Sequence, residues 1–179
     1  LLRAAILRHP AEPYLNLVAA ERAWRMRDEN PIPYLQRTLE RAAIYGRAHL
    51  LLGEILFARK AGNQALMELK LASRDDPSLI TPAVKSAIDH TREYDDLIRM
   101  VPDGPVGALV MDVLGAWLHT RNPEAGRRMD EGALQRAPTL SGARMRLAEA
   151  ILAELEKGEA SARCGSPDAG KACAHEIEL

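Results

Sequence analysis

Apolar residues recur along this chain with helical spacing, in short blocks divided by proline, glycine and Asx residues. Positions 14–27, 34–43, 46–58, 65–76, 81–90, 105–118, 124–136 and 141–156 each read as an amphipathic or buried helix of three to four turns. No segment alternates apolar and polar residues long enough to predict a strand. The breaks are equally regular. Pro10 follows Ala5 by five positions, Pro77 follows Ala72 by five, and Pro138 follows Ala133 by five. A small residue in a helix, then a proline that cannot continue it, predicts a recurring unit of about 30–35 residues.

The clearest unit is Gly46 to Leu79. It carries His49-x2-Leu52-Gly53-x2-Leu56, then Ala65-x3-Leu69-x2-Ala72, then Pro77. Leu52 and Leu56 share one helical face, and Gly53 lacks a side chain, so a second helix can approach closely. Gly62-Asn63 supplies a turn signal between the two helices. This order and spacing resembles the tetratricopeptide repeat family, with His49, Leu56 and Leu69 in slots that are commonly aromatic. Looser units surround it: Tyr14-x2-Leu17 with Tyr34 to Ala43, Val113-Leu114-x2-Trp117 with Glu124 to Arg136, and Leu147-Ala148-x2-Ile151. Leu2 to Pro10 resembles the closing helix of a truncated repeat, so the chain reads as a piece of a longer protein. The expected fold is all-α, a right-handed superhelical stack of antiparallel hairpins near residues 12–43, 47–75, 80–101 and 105–137, with another beginning at 141–157. The repeat domain then covers 1–157, and 158–179 forms a Cys-containing loop and the start of a further helix.

Composition narrows the chemistry. The 179 residues carry 24 Lys and Arg against 25 Asp and Glu, a balance with no bulk field for nucleic acid or an anionic membrane. Arginines are interspersed with acids and read as solvated helix faces. The apolar stretch Pro105 to Leu118 is too short for a membrane span and contains Asp112. Aromatic residues are only 4%, so the core must be Leu, Ala, Ile, Val and Met. No phosphate-binding glycine loop, nucleophile elbow or His-Glu-x-x-His occurs, and the five histidines are dispersed. Asp75-Asp76 and Asp95-Asp96 fall at helix boundaries, where aspartate serves as a cap or dipole partner. The expectation is therefore no enzyme, no cofactor and no metal.

What the resemblance implies is a concave groove lined by the first helix of each hairpin, binding a protein or peptide partner. Carried over by position, the groove residues are Leu15 and Arg22; Leu50, Glu54 and Phe57; Val84, Ile88 and Arg92; Met111, Leu118 and His119; and Met145 and Glu149. The carboxylate clamp known in that family needs Lys and Asn, where this chain has Leu50, Val84, Met111 and Met145, and Ala19, Glu54 and Ile88. A mixed apolar groove suits an amphipathic or extended apolar segment instead. The implied setting is a scaffold in a bacterial envelope-associated protein; the alternative is a regulatory domain of an intracellular enzyme such as a kinase.

Cys164 and Cys173 lie in a Gly/Ser/Pro/Asp-rich stretch, with eight residues between them. Three readings stay open: a disulfide, which would point to the periplasm or cell surface; two free thiols, compatible with the cytoplasm; or a metal site with His175. The Cys-x8-Cys-x-His spacing lacks the tight pair of structural zinc sites.

Overall fold

The computed structural model describes residues 1–156, and among them there is helix, turn and coil but no strand. Both cysteines lie outside the described residues, and with them the disulfide and the compartment it would indicate.

The helices are α1 (Leu2–Arg8), α2 (Pro13–Met26), α3 (Ile32–Arg41), α4 (Gly46–Ala58), α5 (Gly62–Asp75), α6 (Ile80–Ile88), α7 (Tyr94–Leu97), α8 (Gly104–Leu118), α9 (Pro123–Arg136) and α10 (Ser141–Glu156). Single 3₁₀ turns precede α6 at Pro77–Leu79 and follow α7 at Ile98–Met100. Prolines mark starts, in the first two positions of α2, α3, α8 and α9, where no backbone N–H is needed. Side-chain caps assist: Glu12 accepts from the Tyr14 amide, and Asn122 from the Ala125 amide at 3.2 Å.

Consecutive helices pack as pairs, most extensively α4 with α5 and α8 with α9, and next α2 with α3. Helix α10 returns onto α9 and α8, and α6 bridges α5 to α8. Two apolar clusters result. The first joins α2, α3 and α4 through Leu17, Ala20, Leu35, Ala48, Leu51 and Ile55. The second runs from Phe57 to Leu147 and holds Leu69, Val84, Met100, Met111, Leu114 and Met129. Helix α4 thus serves both cores, with Leu51 and Ile55 turned to one and Phe57 to the other.

Close approach within the α4–α5 pair depends on Gly53. A Cβ there would lie 2.8 Å from Leu69 Cδ2 and 3.3 Å from the Ala65 carbonyl. The turn differs from the expected one. Gly62 is already the first residue of α5; Lys60 carries the reversal at φ 62°, while the Ala61 amide donates to the Leu56 carbonyl at 2.9 Å. That left-handed residue followed by a backward bond is the usual way to end a helix, and here it is built on lysine rather than glycine.

The α8–α9 pair repeats the same spacing in a register one residue beyond the one expected. Leu114-Gly115-x2-Leu118 matches Leu52-Gly53-x2-Leu56, and Gly126-x3-Asp130-x2-Ala133 then Pro138 matches Ala65-x3-Leu69-x2-Ala72 then Pro77. A buried aspartate therefore stands where the first pair has a buried leucine.

Candidate functional site

The expected groove residues divide sharply. Phe57, Val84, Ile88, Met111 and Leu118 are buried in the second core, so a partner in this packing does not reach them. Phe57 also stacks on His90, with ring centroids 4.0 Å apart. Leu15, Leu50 and His119 are half-buried, and Arg22, Glu54, Arg92, Met145 and Glu149 are exposed. Four of the buried five follow from the chain's composition: with few aromatics, non-aromatic apolar side chains of the first helices must fill the space between neighbouring pairs.

Of the thirteen, Leu50 and Glu54 share a depression. It has a volume of about 510 Å³ and lies between α2 and α4, with Leu79 also in its lining. Its α4 wall is Arg47, Leu50, Leu51 and Glu54, spaced i, i+3, i+4, i+7, one face of a helix. Its α2 wall is Glu21, Trp24 and Arg25, residues the sequence alone does not single out. Arg22 instead lines a smaller cleft of about 230 Å³ between α1 and α2, with Leu2, Ile6 and Tyr34. A rotation of α2 explains the exchange. The position-by-position expectation places Arg22 on the groove-facing side of that helix. The buried residues are Asn16, Leu17, Ala19, Ala20 and Ala23, which turn Glu21, Trp24 and Arg25 toward α4. The small-residue run Ala19-Ala20-x2-Ala23 is the signal that would have set the register.

The depression is amphipathic. Trp24, Leu50, Leu51 and Leu79 supply apolar surface, and Glu21 pairs with Arg25 at 3.3 Å. Glu54 takes part in no hydrogen bond or ion pair among the described residues. Although Glu54 is exposed as a residue, partial desolvation of its carboxyl by the neighbouring walls pushes it above the ordinary value. Nothing here resembles a nucleophile with its base, and among the described residues no three His, Cys, Asp or Glu side chains cluster as metal ligands.

A wider cleft of about 650 Å³ lies between α3, α4 and α5, lined by Ile32, Leu35, Leu39, Leu52, Leu56 and Met67 with Gln36, Gln64 and Glu68. Beside it is a buried ionic group. His49 Nδ1 is 2.7 Å from Glu68 Oε2, and Nε2 is 3.1 Å from the Ala43 carbonyl and 3.7 Å from Asp75 Oδ2. Asp75 is a nearly buried member of the last turn of α5, while its neighbour Asp76 caps the 3₁₀ turn by accepting from the Ser78 amide at 3.0 Å. A second ionic group ties α10 to α8 and α9. Arg146 donates to Asp130 Oδ1 at 2.6 Å and to Asp112 Oδ1 at 2.6 Å. Among the described residues no helix is long and apolar enough to cross a membrane.

No family model matches this chain, and no curated protein is similar to it.

Proposed function

We propose that this chain is a protein-interaction scaffold, a tetratricopeptide-like superhelical stack of hairpins. In this reading the depression between α2 and α4 holds a partner's amphipathic or extended apolar segment. The supporting observation is the depression itself: apolar side chains from two successive first helices surround a carboxylate with no internal partner. An apolar surface beside a carboxylate with no partner in the chain suits a peptide more than a small reactive substrate, because it orients a side chain by burial and charge. The protein then acts by holding a partner rather than by catalysis, and no cofactor or nucleic acid enters the mechanism. The intended setting is a larger bacterial envelope-associated protein.

Site-specific photo-crosslinking tests this. A photoreactive phenylalanine analogue placed at Leu50 or Glu54 is expected to capture a discrete protein in cells producing the full chain. The same analogue at exposed Gln135 on α9 is expected not to. Equal capture at all three positions, or at none, would count against the groove.

A further inference from the structure

We propose that His49 is a proton-operated latch that fastens the loop between α3 and α4 to helix α5. Both ring nitrogens face acceptors: the Glu68 carboxylate at 2.7 Å on one side and the Ala43 carbonyl at 3.1 Å on the other. An acceptor cannot supply a hydrogen, so both contacts are hydrogen bonds only when the ring carries two N–H groups and a positive charge. The ring is buried, and Asp75 Oδ2 beside it is buried without a hydrogen-bond partner. The imidazolium is therefore the cation standing between two carboxylates of α5, seven residues apart on one helix face.

Loss of the proton leaves one N–H for two acceptors. Either Glu68 or the Ala43 carbonyl then faces a ring lone pair, and Glu68 and Asp75 lose the charge between them. Glu68 also forms part of the wall of the cleft among α3, α4 and α5. Releasing Ala43 loosens the loop that joins α3 to α4, so the width of that cleft becomes linked to pH.

The groups facing the ring set the direction. From α5 these are Glu68 and Asp75, with Arg74 engaged on the far Asp75 oxygen at 2.8 Å. Among the described residues α2, α3 and the 3₁₀ turn before α6 place no further charged side chain within ion-pair distance of it. Burial alone is the largest influence and favours the neutral ring. The bonds to Glu68 and Ala43 and the attraction of Glu68 and Asp75 together outweigh it, raising the pKa above its ordinary 6.5. A raised folded-state value means that the latch's stabilisation is complete below about pH 6.5, the unfolded value, and is lost as pH rises through the folded value. The latch is closed in mildly acidic medium and opens as pH rises through the folded-state value, which lies above 6.5.

The test uses the full 179-residue chain with ring-labelled histidine. ¹⁵N NMR at pH 6 is expected to show His49 with both nitrogens protonated, titrating above 6.5. Glu68→Gln should lower that midpoint by about one unit, the size expected for removing one adjacent opposite charge. Amide exchange, corrected for intrinsic base catalysis, supplies the conformational readout. Protection of Ala42 and Ala48, which flank the loop, should fall about tenfold across the His49 titration and stay flat in His49→Gln. A neutral His49 at pH 6, or loop protection that ignores the titration, overturns the proposal. Should His49→Gln not fold, the shifted midpoint of Glu68→Gln must still move the pH of loop release by the same amount.

Discussion

The α4–α5 and α8–α9 hairpins are built on one spacing and filled with opposite chemistry. In the first, Leu69 reaches across to Gly53 and lies in an apolar core. In the second, the same place holds the Asp130 carboxylate, fully buried against Gly115 and grasped by Arg146 of the next helix. The following helix decides which chemistry is possible. Arg146 stands eight residues after Pro138, and Lys85 eight residues after Pro77. Lys85 is exposed; Arg146 is largely enclosed and bonds Asp130 through both Nε and a terminal nitrogen. A planar guanidinium fits that two-carboxylate site, with Asp112 as its second partner, as an ammonium does not. One backbone arrangement therefore tolerates either an apolar contact or an ion pair, provided the neighbouring helix matches.

The largest effect is expected from breaking that match in the apolar pair. Leu69→Asp places a carboxylate in the core where the position equivalent to Arg146 is the exposed Lys85, combining lost burial with an unpaired charge. A loss exceeding about 4 kcal/mol is expected, seen as absence of a cooperative urea transition at neutral pH. An unaltered transition would show that the slot is not closed to water.

Next comes the converse. Arg146→Met leaves Asp130 buried without its cation, at an expected cost of about 3–5 kcal/mol by urea denaturation. Adding Asp130→Leu, which copies the first hairpin, should recover most of that loss, since replacing a buried pair by apolar residues is often neutral or better. Burial already pushes the Asp130 carboxyl upward, with Arg146 opposing, so the single variant should also be the one whose stability falls further as pH rises through the acid range. A double variant no more stable than Arg146→Met would mean that the pair specifies the docking of α10 rather than filling a slot.

The contrast also marks what a sequence discloses. Helix positions were legible because the breaks are proline and the faces keep a 3.6-residue period, as in Leu52, Leu56 and Pro77. Gly53 was legible because a glycine amid strong helix formers needs a reason. Asp130 was not: an acid among the arginines and glutamates of α9 reads as solvated surface, and its partner Arg146 lies 16 residues on, itself bonded to Asp112 34 residues back. The depression between α2 and α4 was half legible for a related cause. On α4 a clear glycine set the register and gave Leu50 and Glu54. On α2 three alanines did the same work without announcing it, so Trp24 was missed and Arg22 was named instead. Lys60 shows a third limit, since nothing in a lysine signals a positive φ.

The smallest expected effect is the most discriminating, because it puts the same methyl group against the two chemistries. Glycine to alanine inside a helix gains up to about 1 kcal/mol of propensity, so any net loss reports the clash alone. At Gly53 the added Cβ meets Leu69 Cδ2 at 2.8 Å and Cγ at 3.1 Å. That methyl ends a side chain able to rotate, and an overpacking cost of about 1–2 kcal/mol leaves a small net loss. At Gly115 the Cβ would overlap Asp130 Oδ1, which Arg146 holds, and the carboxylate cannot swing aside without giving up charge-assisted bonds. Gly115→Ala should therefore cost about 2–3 kcal/mol more than Gly53→Ala, within the range for one strained charge-assisted contact. In the Asp130→Leu, Arg146→Met background the two alanine variants should converge, giving a coupling of similar size in a double-mutant cycle. Equal costs in the native background would show that Asp130 moves freely, and the ionic hairpin would then be held by α10 packing instead of by its salt bridge.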